Sequence, residues 1–111
     1  MEAEHTIELI RDAIESATAN AIERFGETYA SKHEAWAVLK EEVEEARFEQ
    51  DTIEDKLDNI WQLIRYNSPV MGITGRDYLI QIKDHAEALA CEAVQVAAVC
   101  NKYLATLGMK K

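Results

Sequence analysis

Chain breakers are scarce in this sequence. One Pro and four Gly are spread over 111 residues, too few for the closely spaced turns of a β-sandwich or barrel, and strictly alternating apolar and polar runs are missing as well. No stretch of 18 or more apolar residues is available to cross a bilayer. The opening Met1-Glu2-Ala3-Glu4-His5 is acidic where a secretory signal is basic and then apolar, so a cytoplasmic protein without a membrane partner is expected. Cysteine is limited to Cys91 and Cys100. On one helix that interval is about 13 Å along the axis, which excludes a mutual disulfide and leaves two reduced thiols expected in the core. Zinc ligands at short spacing are lacking too. Basic residues are outnumbered, with 12 Lys+Arg against 21 Asp+Glu and a net charge of −9. That deficit argues against a duplex nucleic acid as partner, because such binding replaces counterions with cationic side chains.

What is present is an apolar content of 48% in a chain the size of one small domain. A single all-α domain over residues 1–111 with one core is expected. Ile7, Ile10, Ile14, Ala17, Ala21 and Phe25 recur every three or four residues ahead of Gly26, predicting a first helix over about 4–25. Ser31 with Glu34 is a capping-box pattern that opens a second helix over about 32–50, with Trp36, Leu39, Val43 and Ala46 on one side. Asp51 with Glu54 repeats an acidic cap, and Ile53, Leu57, Ile60 and Ile64 predict a third helix that stops before Asn67-Ser68-Pro69. A loop over 67–75 follows, and helical propensity then runs uninterrupted over 76–107, long enough that a bend near Lys83-Asp84-His85 is expected. The natural packing is a four-helix up-and-down bundle whose apolar faces are completed by oligomerisation as a homodimer or homotetramer.

The negative charge is concentrated. Residues 34–58 hold ten acids and three bases, so this segment carries −7 of the total. On a helical wheel Glu42 borders the apolar arc of the second helix, and Glu45 and Glu49 follow one and two turns on. A solvated acidic face accounts for such a pattern. Carboxylates at i and i+3 sharing a hard cation account for it too, provided another acid joins them. The last helix offers one: from Ala86 to Cys100 it is apolar on nearly every side, and Glu92 and Gln95 are the polar residues of its second half. A carboxylate in such surroundings needs a hydrogen-bonding partner, an exposed edge or a metal. Convergence of Glu92 with Glu42 and Glu45 is the expectation adopted here.

Ser-Lys-His-Glu-Ala-Trp-Ala-Val-Leu-Lys-Glu-Glu-Val-Glu-Glu-Ala at 31–46 and Glu-Ala-Val-Gln-Val-Ala-Ala-Val-Cys at 92–100 together resemble the MazG-like branch of the all-α nucleoside triphosphate pyrophosphohydrolases, in particular its small phage and prophage versions. That family carries Glu-Glu-x-x-Glu on one helix and Glu-x-x-Asp on a later one, and the two motifs bind Mg²⁺. Glu41, Glu42 and Glu45 match the first motif, and Glu92 and Gln95 match the second with Gln in place of Asp. The interval between the motifs is longer here than in compact family members. The resemblance implies Mg²⁺-dependent hydrolysis of a (deoxy)nucleoside triphosphate to monophosphate and pyrophosphate. Glu42, Glu45, Glu92 and Gln95 would then be metal ligands, and Glu41 a further ligand or the base that activates water.

An acidic metal site still needs cations for the outer phosphates, and Lys83, Lys102, Arg65 and Arg76 are the candidates. Each is read equally well as a solvated surface residue. Trp36 can stack on a base, although both it and Trp61 stand on apolar stripes that favour core packing. His33 and His85 are expected to be structural, since neither has a second His at metal-ligand spacing.

Overall fold

The computed structural model describes residues 2–108 and contains three long helices: α1 (Glu2–Phe25), α2 (Lys32–Arg65) and α3 (Arg76–Thr106), the last preceded by a π-helical turn at Met71–Gly75. No strand occurs among the described residues, so the all-α expectation holds. The number of helices does not: the second and third expected helices are one continuous α2 of 34 residues. Asp51 sits in its interior, because an N-cap pattern starts a helix only where the preceding one has stopped, and no Gly, Pro or Asn stands before it. The stripe Leu39, Val43, Ala46, Gln50, Ile53, Leu57, Ile60, Ile64 keeps its three-and-four spacing straight through the expected break. α3 likewise runs unbroken through Lys83-Asp84-His85. The expected 67–75 loop is shorter than its composition suggests, since Met71–Gly75 already winds into the start of α3.

Helix ends follow local chemistry. Gly26 stops α1 with a φ of 89°, a left-handed conformation in which its N–H donates to the Ile22 carbonyl at 2.8 Å. At the start of α2 the Glu34 N–H donates to Ser31 Oγ at 3.1 Å while Glu34 Oε1 accepts from the Ala30 N–H at 3.2 Å. Ser31→Ala removes one side of this reciprocal cap and is expected to lower unfolding stability by about 1 kcal/mol, measured by urea denaturation. A denaturation midpoint unchanged from wild type would show that the cap contributes nothing. α2 ends in a Schellman arrangement: the Ser68 N–H reaches the Leu63 carbonyl at 2.9 Å, the Asn67 N–H reaches that of Ile64 at 3.0 Å, and Asn67 takes a φ of 48°.

The chain divides into two compact units, one built from the residues up to Glu44 and those from Glu92 on, the other from Glu45–Cys91. In the first, α1, the start of α2 and the end of α3 come together. Its most enclosed residues are Ala35, Ala98, Lys102 and Thr18. Asn101 Nδ2 donates to Thr18 Oγ1 at 3.1 Å, and that hydroxyl donates to the Ile14 carbonyl at 2.7 Å, which ties α1 to α3 through satisfied polar groups. The second unit is a helical hairpin with Ile60 and Gly75 buried. It includes the contact between His85 Nδ1 and Glu49 Oε2 at 2.6 Å, consistent with a structural His85.

Apolar residues expected in a core are exposed. Trp36 and Trp61 are 56% and 53% exposed, and Cys91 is exposed while Cys100 is half-buried. Periodicity identified the apolar stripes correctly, but a stripe is buried only where another surface lies against it. The described residues leave much of these faces uncovered. Among them no helix is long and apolar enough to cross a membrane.

Candidate functional site

Glu42 and Glu45 are one turn apart on α2, and Glu92 stands on the apolar part of α3. One carboxylate oxygen from each lies within 4.8 Å of the other two. Any three points so placed have a location within about 2.8 Å of all of them, so a shift of under about 1 Å brings the set to the ~2.1 Å that Mg²⁺ requires. Carboxylates at this separation repel by roughly 1 kcal/mol in water-like surroundings and about 3 kcal/mol at an effective dielectric near 20. A divalent cation turns that repulsion into attraction. The expected convergence of Glu42, Glu45 and Glu92 is therefore present, and the cluster can hold a metal ion.

Glu92 supplies the observation that distinguishes this cluster from an ordinary acidic face. Its Oε2 is fully enclosed and has no hydrogen-bond partner. An unsatisfied buried oxygen costs about 1–3 kcal/mol, more when charged, and a donor or a cation is the group that would satisfy it. A hard cation is such a group, and an all-oxygen donor set suits Mg²⁺ or another hard divalent ion.

The other expected site residues separate into two sets. Glu41 is exposed and stays outside the cluster, and Glu49 is engaged by His85. Gln95, one turn beyond Glu92, is exposed and lines a cavity of about 490 Å³ that Glu42 also lines. Lys102 lines the same cavity. Lys83 and Arg76 belong to the Glu45–Cys91 unit instead, both exposed, and Arg76 lies 3.9 Å from Asp77. Arg65 is exposed at the end of α2, over the ring of its neighbour Tyr66. Trp36, exposed on α2, carries Lys40 over its ring at 5.9 Å and is not part of the cavity wall.

Sequence reasoning missed Tyr29 and undervalued Lys102. Lys102 is only 5% exposed, and its ammonium rests on the ring of Tyr29 at 4.3 Å and near that of Phe25 at 5.8 Å. The pairing is held by the backbone: the Tyr29 N–H donates to Thr106 Oγ1 at 2.8 Å, and that hydroxyl donates to the Lys102 carbonyl at 2.9 Å. Burial pushes the Tyr29 phenol above its ordinary value, with the Glu42 and Glu34 carboxylates adding to the shift, so it remains an O–H donor. The signal for Lys102 was available, since it is a lone charge in an apolar helix on the same terms as Glu92. Nothing local marks Tyr29, whose role depends on a contact 73 residues away in the chain.

Comparison of the chain with family models, curated protein sequences and solved structures gives no match. The site is therefore defined by its own geometry: a three-carboxylate centre on two helices, beside a cavity that Val38, Val99, Phe25, Tyr29 and Lys102 help to line.

Proposed function

We propose that the protein is a Mg²⁺-dependent pyrophosphohydrolase that converts (deoxy)nucleoside triphosphates to monophosphates and pyrophosphate. The observation that carries this reading is the convergence of Glu42, Glu45 and Glu92 with the Glu92 oxygen left without a protein partner. The resemblance of residues 31–46 and 92–100 to the MazG-like enzymes supports it independently, because those motifs supply these same three carboxylates.

In this reading Glu42, Glu45 and Glu92 would hold Mg²⁺, and the side-chain carbonyl of Gln95 would be a further oxygen that adds no negative charge. When bound, the ion neutralises phosphate oxygens and lets an acidic protein accept a polyanion. Water attacks the α-phosphorus, the bond from that phosphorus to the bridging oxygen breaks, and pyrophosphate leaves with the bond's electron pair. Glu41, adjacent to the metal ligands on α2, accepts the proton that the attacking water loses.

The test is to incubate the purified chain with Mg²⁺ and a panel of ribo- and deoxyribonucleoside triphosphates and to quantify pyrophosphate and monophosphate. Both products are expected in equal amounts, with Glu45→Gln at background. If wild type and Glu45→Gln are equally silent with every nucleotide, hydrolysis is ruled out; binding without turnover would identify a helical module that uses the fold for recognition alone.

Self-association belongs to the same proposal. In the Glu45–Cys91 hairpin, Phe48, Leu57, Trp61, Ile64 and Leu79 are each more than half exposed. A second hairpin placed against this face would complete a four-helix bundle.

A further inference from the structure

The connection between α2 and α3 carries more apolar surface than its turns require. Turns favour Gly, Pro, Asn and Ser, and residues 67–75 use all four. Yet the same segment presents Ile73 at 72% exposure, and Val70 and the adjoining Tyr66 are exposed with it. These three residues sit at the turn end of the Glu45–Cys91 hairpin. None of them lines the cavity or joins the carboxylates, and none belongs to the face proposed for self-association.

The backbone of this turn is bonded to itself. The Asn67 and Ser68 N–H groups close the end of α2, the Val70 N–H donates to Ser68 Oγ at 3.3 Å, and the Met71 N–H donates to the Ser68 carbonyl at 3.3 Å. The Ile73 and Thr74 N–H groups both donate to the Val70 carbonyl, at 3.0 and 2.8 Å. Pro69 has no N–H to satisfy. A surface turn ordinarily leaves such donors to water, and an unpaired donor is costly wherever water is excluded. Internal bonding therefore makes this turn fit to enter an apolar medium. A protein partner could supply acceptors of its own, whereas a hydrocarbon layer cannot.

Charge at the turn is opposite to that of the chain. Residues 59–76 contain Arg65 and Arg76 and no acid, in a protein of net charge −9. Asp58 lies about 10 Å before Arg65 along α2, beyond the ~8 Å over which exposed charges act at physiological ionic strength. On the other side Asp77 stands 3.9 Å from one nitrogen of Arg76, and a guanidinium has further N–H donors for a second anion. Arg65 is held over the Tyr66 ring at 5.3 Å, so cationic and apolar groups are presented together.

We propose that this turn docks on the surface of an anionic phospholipid bilayer. Ile73, Val70 and Tyr66 enter the boundary between headgroups and acyl chains, a depth of about 5–10 Å, and Arg65 and Arg76 engage the lipid phosphates. Tyr66 suits that boundary because its ring is apolar and its hydroxyl is polar. No helix has to cross the bilayer for such a contact, and none of the described helices is long and apolar enough to do so. The inference does not draw on the nucleotide reading, so the failure of either leaves the other standing.

The experiment floats the purified full-length chain with vesicles of phosphatidylcholine alone or of phosphatidylcholine mixed with phosphatidylglycerol, and measures the bound fraction. Binding to the anionic vesicles is expected to be at least about fivefold stronger, the effect of one arginine near a negatively charged surface. Ile73→Ser is expected to weaken it about tenfold, and Ile73→Leu, which keeps an apolar side chain, is expected to bind like wild type. Arg65→Gln is expected to weaken binding about fivefold on anionic vesicles and to leave neutral ones unchanged. Both residues are exposed, so the helical content of every variant should match wild type. No flotation with anionic vesicles, equal binding to the two lipids, or binding that survives Ile73→Ser would overturn the assignment. Wild type that ignores vesicles but loses self-association in Ile73→Ser would give the turn to a second copy instead, and would overturn it too.

Discussion

Glu92→Gln is expected to lower Mg²⁺-dependent pyrophosphate release by at least about a hundredfold while making the metal-free protein more stable, not less. The two effects have one origin. Gln is nearly isosteric with Glu, so the packing of α3 is kept, but the cluster loses one of three mutually repelling carboxylates and the enclosed oxygen becomes part of a neutral amide. Without metal, relief of that repulsion is expected to raise the thermal midpoint by several degrees, corresponding to about 1 kcal/mol in a chain of this size. With metal the order reverses. Saturating Mg²⁺ at a hundred times its dissociation constant stabilises a folded protein by about 2.7 kcal/mol, and the variant forfeits most of this. Thermal melts of wild type and Glu92→Gln with EDTA and with Mg²⁺ should therefore cross. Melting curves that show no response to Mg²⁺ in wild type would remove the metal from the site, whatever the activity data say.

On the proposed self-association, Leu57→Glu combined with Trp61→Glu is expected to yield a monomer across the micromolar range where wild type is a dimer or larger, read by light scattering on a sizing column. Both residues are more than half exposed and lie one turn apart on α2. Central aromatic and aliphatic anchors of an interface typically contribute 2 kcal/mol or more each, so placing two carboxylates there weakens association by at least about a hundredfold. Helical content should be nearly unchanged, since neither side chain is buried within its own chain. A wild-type chain that is already monomeric at high concentration would show that this face has no second copy as its partner. The pair also separates packing from chemistry, because neither residue lines the cavity or joins the carboxylates.

Much of the site could be read from the sequence because it is written in helical periodicity. Glu42 and Glu45 border an apolar stripe and Glu92 interrupts an apolar helix, and both are statements about one helix at a time. The ends of α1 and α2 were legible for the same reason, through Gly26, the Ser31 cap and the Asn67-Ser68-Pro69 stop. The continuity of α2 through Asp51 was not, because a cap pattern and an interior acid are identical in sequence and differ only in what precedes them. The exposure of Trp36 and Trp61 was hidden as well, since the wheel reveals which face is apolar and not what covers it. The Tyr29–Lys102 pairing is the furthest from reach: it joins a residue just beyond α1 to the last turns of α3, and tertiary packing alone creates it.

The two units also differ in when they can form. The Glu45–Cys91 hairpin is contiguous in the chain, so its contacts close short loops and it is free to fold as soon as it is synthesised. The other unit is split, with its two parts separated by the whole hairpin, and its pocket takes residues from Ala21 through Lys102. Nearly all of the chain must be made before that pocket exists. The pocket is consequently completed only with the discontinuous unit, and a ligand bound in it is expected to show first as slower unfolding of this part.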